Sequence, residues 1–160
     1  MSTRFMQEGG CTCSDVRYRM IASPLIVHCC HCTWCQRETG ASFALNALVE
    51  TANVALVSGA PERVMTPSES NKGQTIIRCP ACRVAVWSHY AGFGEDVAFV
   101  RVGTLDPGHG LEPGIHIYTA TKQPWVVIPD GTPASDAYYH AREVWREDSL
   151  ARLRSVRQST

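Results

Sequence analysis

Cys30-His31-Cys32-Thr33-Trp34-Cys35 is the stretch on which the reading of this chain turns. Three thiols fall within six residues, too dense for an ordinary core segment. Two further groups lie outside it: Cys11-Thr12-Cys13 near the start, and Cys79-Pro80-Ala81-Cys82 at mid-chain. A C-x-x-C turn folds back so that both sulfurs reach one ion. A C-x-C on a strand puts both side chains on one face. Thiolates at short spacing make zinc the default metal, held at about 2.3 Å in tetrahedral geometry.

Seven thiols in three groups suggest a partition. A closed structural zinc takes four ligands, and a catalytic zinc takes three with one position open. Cys30, Cys32 and Cys35 are crowded enough to hold one ion, leaving Cys11, Cys13, Cys79 and Cys82 for the other. Spacing leaves a rival open, in which Cys29 or His31 completes a second closed site. Alternation between Cys30 and Cys32 is expected to turn His31 away from the metal. Cys29 reads as a small buried hydrophobe or as a spare thiol. A disulfide within Cys79–Cys82 and an iron–sulfur cluster are lesser readings.

The composition agrees with metal ligation. Eight cysteines occur in 160 residues. Met1 to Gly10 lacks the apolar core of an export signal. A cytoplasmic protein is expected, and there clustered thiols bind metal more readily than they form disulfides. Fifteen basic residues balance fifteen acidic ones, which argues against nucleic acid as the main partner. No apolar run approaches the roughly 18 residues of a membrane span.

Residues 1–160 read as one β-rich domain. Strands are expected at Val16–Met20, Leu25–Val27, Phe43–Val49, Val54–Val57, Thr75–Ile77, Val84–Trp87, Val97–Val102, Ile115–Tyr118 and Trp125–Ile128. One helical turn is expected at Gln36–Gly40 and a terminal helix over residues 136–158. That helix carries Arg142, Arg146, Arg152, Arg154 and Arg157, read as a solvated face more readily than as a binding arm. Gly92-Phe93-Gly94 reads as a turn. Trp87, Trp125 and Tyr118 read as core, and Tyr138-Tyr139 as the dock of the last helix.

Gly10-Cys11-Thr12-Cys13, Cys30 to Arg37, Gly40 and Cys79-Pro80-Ala81-Cys82 together resemble the glutathione-dependent formaldehyde-activating enzyme family, which includes centromere protein V. Val102-Gly103-Thr104-Leu105-Asp106, Pro113 to His116, Trp125 and Pro129-Asp130 fit as well, so the resemblance runs from about Gly10 to Tyr139. It implies a mainly β, Mss4-like zinc-binding fold with a C-terminal helix added. It implies two zinc ions per chain: a structural one on Cys11, Cys13, Cys79 and Cys82, and a catalytic one on Cys30, Cys32 and Cys35. The implied activity is that of a carbon–sulfur lyase run backwards, in which glutathione and formaldehyde condense to S-hydroxymethylglutathione. The partners are then a small thiol such as glutathione and an aldehyde, with Arg37 a candidate for the thiol's carboxylate. His31 and His116 are candidates by type for a general base.

One departure stands out. Arg83 follows the last cysteine pair where the family usually has glycine, so a strained or altered turn is expected. Two other classes compete with the lyase: a non-enzymatic zinc module for a protein or nucleic-acid partner, and a redox protein using Cys29 and Cys30 or Cys79 and Cys82. An edge strand or the terminal helix allows a homodimer.

Overall fold

The computed structural model describes residues 5–158. Ten strands form two sheets among the described residues. In chain order they are β1 (Gln7–Gly10), β2 (Arg17–Met20), β3 (Ile26–Cys30), β4 (Ala44–Glu50), β5 (Val54–Ser58), β6 (Glu62–Thr66), β7 (Gln74–Arg78), β8 (Ala85–Tyr90), β9 (Val97–Arg101) and β10 (Ile115–Ile117). The small sheet runs β1-β2-β5 and the large one β10-β3-β4-β9-β8-β7-β6. Neighbours pair antiparallel except β10, which lies parallel to β3. The fold is mainly β, as expected.

Central strands of the large sheet are buried on both faces. β9 is buried at all five positions and β4 at six of seven. Their apolar runs therefore show little alternation, as in any strand covered on both sides. One face meets the small sheet through Val16, Tyr18, Met20, Ala47, Val49 and Val100. The other packs Leu48, Val97 and Phe99 beneath Trp145 and Leu153.

β1 and β6 are strands that the sequence reading passed over. β1 ends in Gly9-Gly10, which reads as a breaker. In the structure a Cβ at Gly9 would lie 2.6 Å from the Thr104 carbonyl oxygen and 2.7 Å from Tyr18 Oη. Glycine there serves close approach. Conversely, Trp125–Ile128 is not a strand. Trp125 and Val127 are 71% and 84% exposed, and only Val126 is buried. Pro124 and Pro129 bracket the segment and withhold ladder donors. Lys122 Nζ donates to the carbonyls of Gln123 and Val126 instead. Trp125 is thus exposed, not core.

The terminal helix is two pieces, α2 (Ala141–Val144) and α3 (Glu147–Gln158), and residues 136–140 are not helical. Trp145 breaks it in extended backbone and is buried with Phe93 and Tyr139. Its Nε1–H donates to Tyr139 Oη at 2.5 Å, so Tyr139 does dock this end. Four of the five arginines are engaged: Arg152 pairs with buried Glu50, Arg154 with Glu147, Arg146 with Asp148, and Arg157 lies over the Phe93 ring. No helix among the described residues is long and apolar enough to cross a membrane.

Candidate metal centre and adjoining cavity

Cys11 and Cys13 follow β1, and Cys79 and Cys82 sit in the β7–β8 hairpin. Among the described residues these four thiols lie within 4.8 Å of one another. Cys11 Sγ is 3.5 Å from Cys13 Sγ, which is 3.6 Å from Cys79 Sγ. Four sulfurs around an ion at 2.3 Å stand about 3.8 Å apart, so the set fits a tetrahedral metal. All four cysteines are free of disulfides. The turn is closed by the Arg83 N–H donating to the Cys79 carbonyl, with Arg83 in the left-handed region at φ 64°. The strain expected of a non-glycine residue is there.

Cys30 ends β3, and Cys32 caps α1 (Thr33–Thr39), its sulfur accepting from the Cys35 N–H at 3.3 Å. Cys35 is the buried residue of that helix. These three sulfurs also lie within 4.8 Å of one another, all buried. Hydrogen bonds from Cys30 and Cys35, with the backbone N–H groups of Cys35 and Trp34, pull the Cys32 thiol far below its ordinary value. The same hydrogen bonds, seen from Cys30, push that thiol up. Such a set gives up one proton readily, and a divalent ion would take the rest.

Cys29 and His31 alternate with these ligands and face the other way. Both are buried, together with His116, which pairs with Cys29 across β3 and β10. The three could hold a metal by proximity. However, His31 Nε2 and His116 Nδ1 are 2.8 Å apart, and the rings stack within 17° of parallel. That is a hydrogen bond between two imidazoles, using the atoms a metal would need. Burial pushes His31 down to about 4 and lowers His116 as well. Two neutral rings, one donating and one accepting, are consistent with this. His31 turns from the ligands as expected, and it is buried. Neither imidazole lines the cavity beside Cys30, Cys32 and Cys35.

That cavity has a volume of about 270 Å³. It opens between α1, the β6–β7 loop, the Tyr90–Phe93 turn and the two segments that carry Tyr118 and Tyr138. His28 also borders it, its Nε2 2.7 Å from Tyr139 Oη. Burial pushes His28 down to about 3. Lys72 and Glu69 supply charge from the β6–β7 loop. Arg37 is exposed on α1 and is not among the lining residues. Sequence reasoning passed over Lys72 and Asn46, placed Tyr118 in the core, and read His28 as a ligand or a surface histidine, whereas it is buried and in none of the thiol groups. Lys72, Asn46 and Tyr118 are brought here from distant segments and carry no local motif; only His28 and Trp34, beside and within the cysteine motif, could have been read as walls.

Asn46 links the cavity to a buried cation. Its Oδ1 accepts from Arg101 Nη1 at 3.0 Å, and Arg101 Nη2 is 3.4 Å from Ser88 Oγ. Arg101 Nε is buried without a partner. The Cys30 hydrogen bond and, more weakly, the Arg101 charge draw the Cys35 thiol down, but Cys32 and burial outweigh them and push it up to about 11. A second hollow of about 620 Å³ lies beside Cys82. Of its three arginines, Arg78 and Arg83 are paired with Glu38 and Glu62, and the third is Arg101.

A β-sheet frame carrying one four-thiol and one three-thiol group defines a protein able to hold metal at two cysteine clusters. The chain matches the family model of the glutathione-dependent formaldehyde-activating enzyme over residues 6–121, and it belongs to that family. Comparison with curated proteins gave no match. Among solved structures, a crystal structure of a Rhodobacter sphaeroides protein aligns at 18% identity and a TM-score of 0.46. The alignment covers 66% of this chain and 91% of that one.

Proposed function

We propose that this chain is a zinc-dependent carbon–sulfur lyase acting on the adduct of an aldehyde with glutathione or another small thiol, like an S-hydroxymethylglutathione synthase. The observation that carries this reading is the contrast between the two thiol groups. One has four sulfurs, the other three that border a cavity. Three protein ligands and a free position are the mark of a catalytic zinc.

Cys11, Cys13, Cys79 and Cys82 would hold a structural ion, and Cys30, Cys32 and Cys35 a catalytic one, two zinc ions per chain. Zinc on the second set would accept an incoming thiol as thiolate at its open position. Three thiolates give that complex a net charge near −1, which suits it to holding a thiolate better than to polarising a carbonyl. The cavity walls then hold the aldehyde beside the sulfur, so that positioning lowers the barrier. The carbon–sulfur bond forms as the carbonyl π bond opens, and the thiol's proton ends on the carbonyl oxygen. Cytoplasmic location accords with the reduced thiols.

The test is zinc counted per chain with calorimetric titration of a small-thiol panel including glutathione. Two zinc ions and saturable binding are expected in the wild type. Cys32→Ser is expected to keep one zinc and lose binding. Thiol binding unchanged in Cys32→Ser would overturn the reading.

A further inference from the structure

We propose that the adduct handled at the Cys30, Cys32 and Cys35 site carries an aryl-sized apolar group and a single carboxylate, which narrows the thiol-lyase reading and rests on it. The cavity's walls are the first reason. Trp34, Tyr90, Phe93, Phe99, Tyr118 and Tyr138 line about 270 Å³ of space that no side chain fills. Phe99 stands edge-on to Phe93 at 5.4 Å and tilted against Tyr90 at 4.6 Å, so the wall is a braced aromatic cluster. Tyr118 and Tyr138 face each other at 6.3 Å across another part of the lining. Formaldehyde has two heavy atoms and no apolar group. It cannot use such a wall, whereas an aryl ring gains from burial and from offset or edge-on ring contact.

The charge inventory is the second reason. Glutathione brings two carboxylates and an ammonium. Among the described residues lining the cavity, Lys72 is the one lysine or arginine and Glu69 the one carboxylate. His28 is buried, with its Nε2 already 2.7 Å from Tyr139 Oη. A second carboxylate would enter without a cation, at a desolvation cost that selects against it. Some of the uncharged polar groups are also engaged. Asn46 Oδ1 accepts from Arg101, Ser68 Oγ and Ser70 Oγ are 3.0 Å apart, and Gln74 Nε2 donates to the Pro67 carbonyl. Gln74 Oε1 is a buried acceptor without a partner.

The substrate class is therefore the hemithioacetal of a small monocarboxylate thiol and an aldehyde, with an aryl-sized group on one of them. Its formation joins sulfur to the carbonyl carbon, opens the carbonyl π bond and moves the thiol proton to oxygen. No oxidant or reductant is needed.

Calorimetric titration of zinc-loaded protein with four probes tests this: 2-mercapto-3-phenylpropanoate, mercaptoacetate, glutathione and 3-phenylpropanoate. The aryl thiol is expected to bind at least about tenfold tighter than mercaptoacetate and than glutathione. Tyr138→Ala, at a position 43% exposed, should erase most of that aryl advantage and leave mercaptoacetate unchanged. Lys72→Gln should weaken both monocarboxylate thiols by several fold. Glutathione binding tightest would overturn the proposal. So would metal-dependent binding of all thiols without aryl preference, which would leave the thiol-lyase reading standing. Tyr138-sensitive binding of 3-phenylpropanoate, with nothing gained from a thiol group, would uphold the apolar recognition and sink the thiol-lyase reading instead.

Discussion

Cys13 Sγ lies 3.6 Å from Cys79 Sγ although 66 residues separate them. The contact ties the end of β1 to the β7–β8 hairpin and so joins the small sheet to the large one. A metal shared by these thiols would close a long loop, and its binding energy would become folding energy. Cys79→Ser is expected to lose one metal per chain and to lower the melting temperature by roughly 10 °C or more. Metal analysis with a thermal scan of the same sample checks this.

On the proposed reading Cys32 has two jobs, metal ligand and N-cap of α1. Serine can do only the second. Cys32→Ser and Cys32→Ala are both expected to lose metal at the three-thiol group. Serine should keep the cap, so the alanine variant should be less stable by about 1 kcal/mol. Equal urea midpoints would show that the cap contributes nothing.

Arg152 donates to both oxygens of Glu50, at 2.7 and 2.6 Å. Burial raises the Glu50 pKa, but the Arg152 hydrogen bonds and charge outweigh it and the net direction is down. Protons therefore bind the unfolded chain more readily. The pair's contribution is present above the ordinary carboxylate range, near pH 4.5, and is lost as pH falls through the folded value. Arg152→Ala should cost about 2–4 kcal/mol at pH 7 by leaving a buried carboxylate with only Asn53. The stability gap between wild type and Glu50→Gln should narrow from pH 6 to pH 3.5. Metal loss on acidification affects both proteins and cancels in that difference.

Arg101 is buried and bonded to Asn46 and Ser88, and no described carboxylate pairs with it. A buried cation needs a counter-charge. Three thiolates around a divalent ion leave a net charge near −1, on the Cys35 side of Arg101. Arg101→Met should weaken metal retention at Cys30, Cys32 and Cys35 by roughly tenfold, sparing the four-thiol group. Chelator competition followed at each site would show it, and equal loss at both would contradict it.

Arg83 holds φ at 64°, where a side chain costs about 1 kcal/mol. Arg83→Gly should raise stability by up to about 1 kcal/mol, since the lost ion pair with Glu62 is exposed on the Arg83 side and weak. A lower urea midpoint would show that this pair outweighs the strain.

The sequence by itself determined the ligand groups and most strands. A C-x-x-C turn or a capped C-x-x-C helix start sets sulfur geometry within a few residues, and β4 and β9 announce themselves by apolar content. It misjudged the Trp125 segment, because flanking prolines and exposure outweigh composition there. It also joined two helices that buried Trp145 separates, because the reward for that break lies in contacts with Phe93 and Tyr139. Only the tertiary structure decided which residues meet the cysteines. Lys72, Tyr90, Tyr118 and Tyr138 come from four segments with no shared periodicity. His31 and His116 find each other through the parallel pairing of β10 with β3. Local spacing encodes what neighbours in the chain can do, whereas cavity walls depend on how strands order themselves in a sheet, which is set by burial summed over the whole chain.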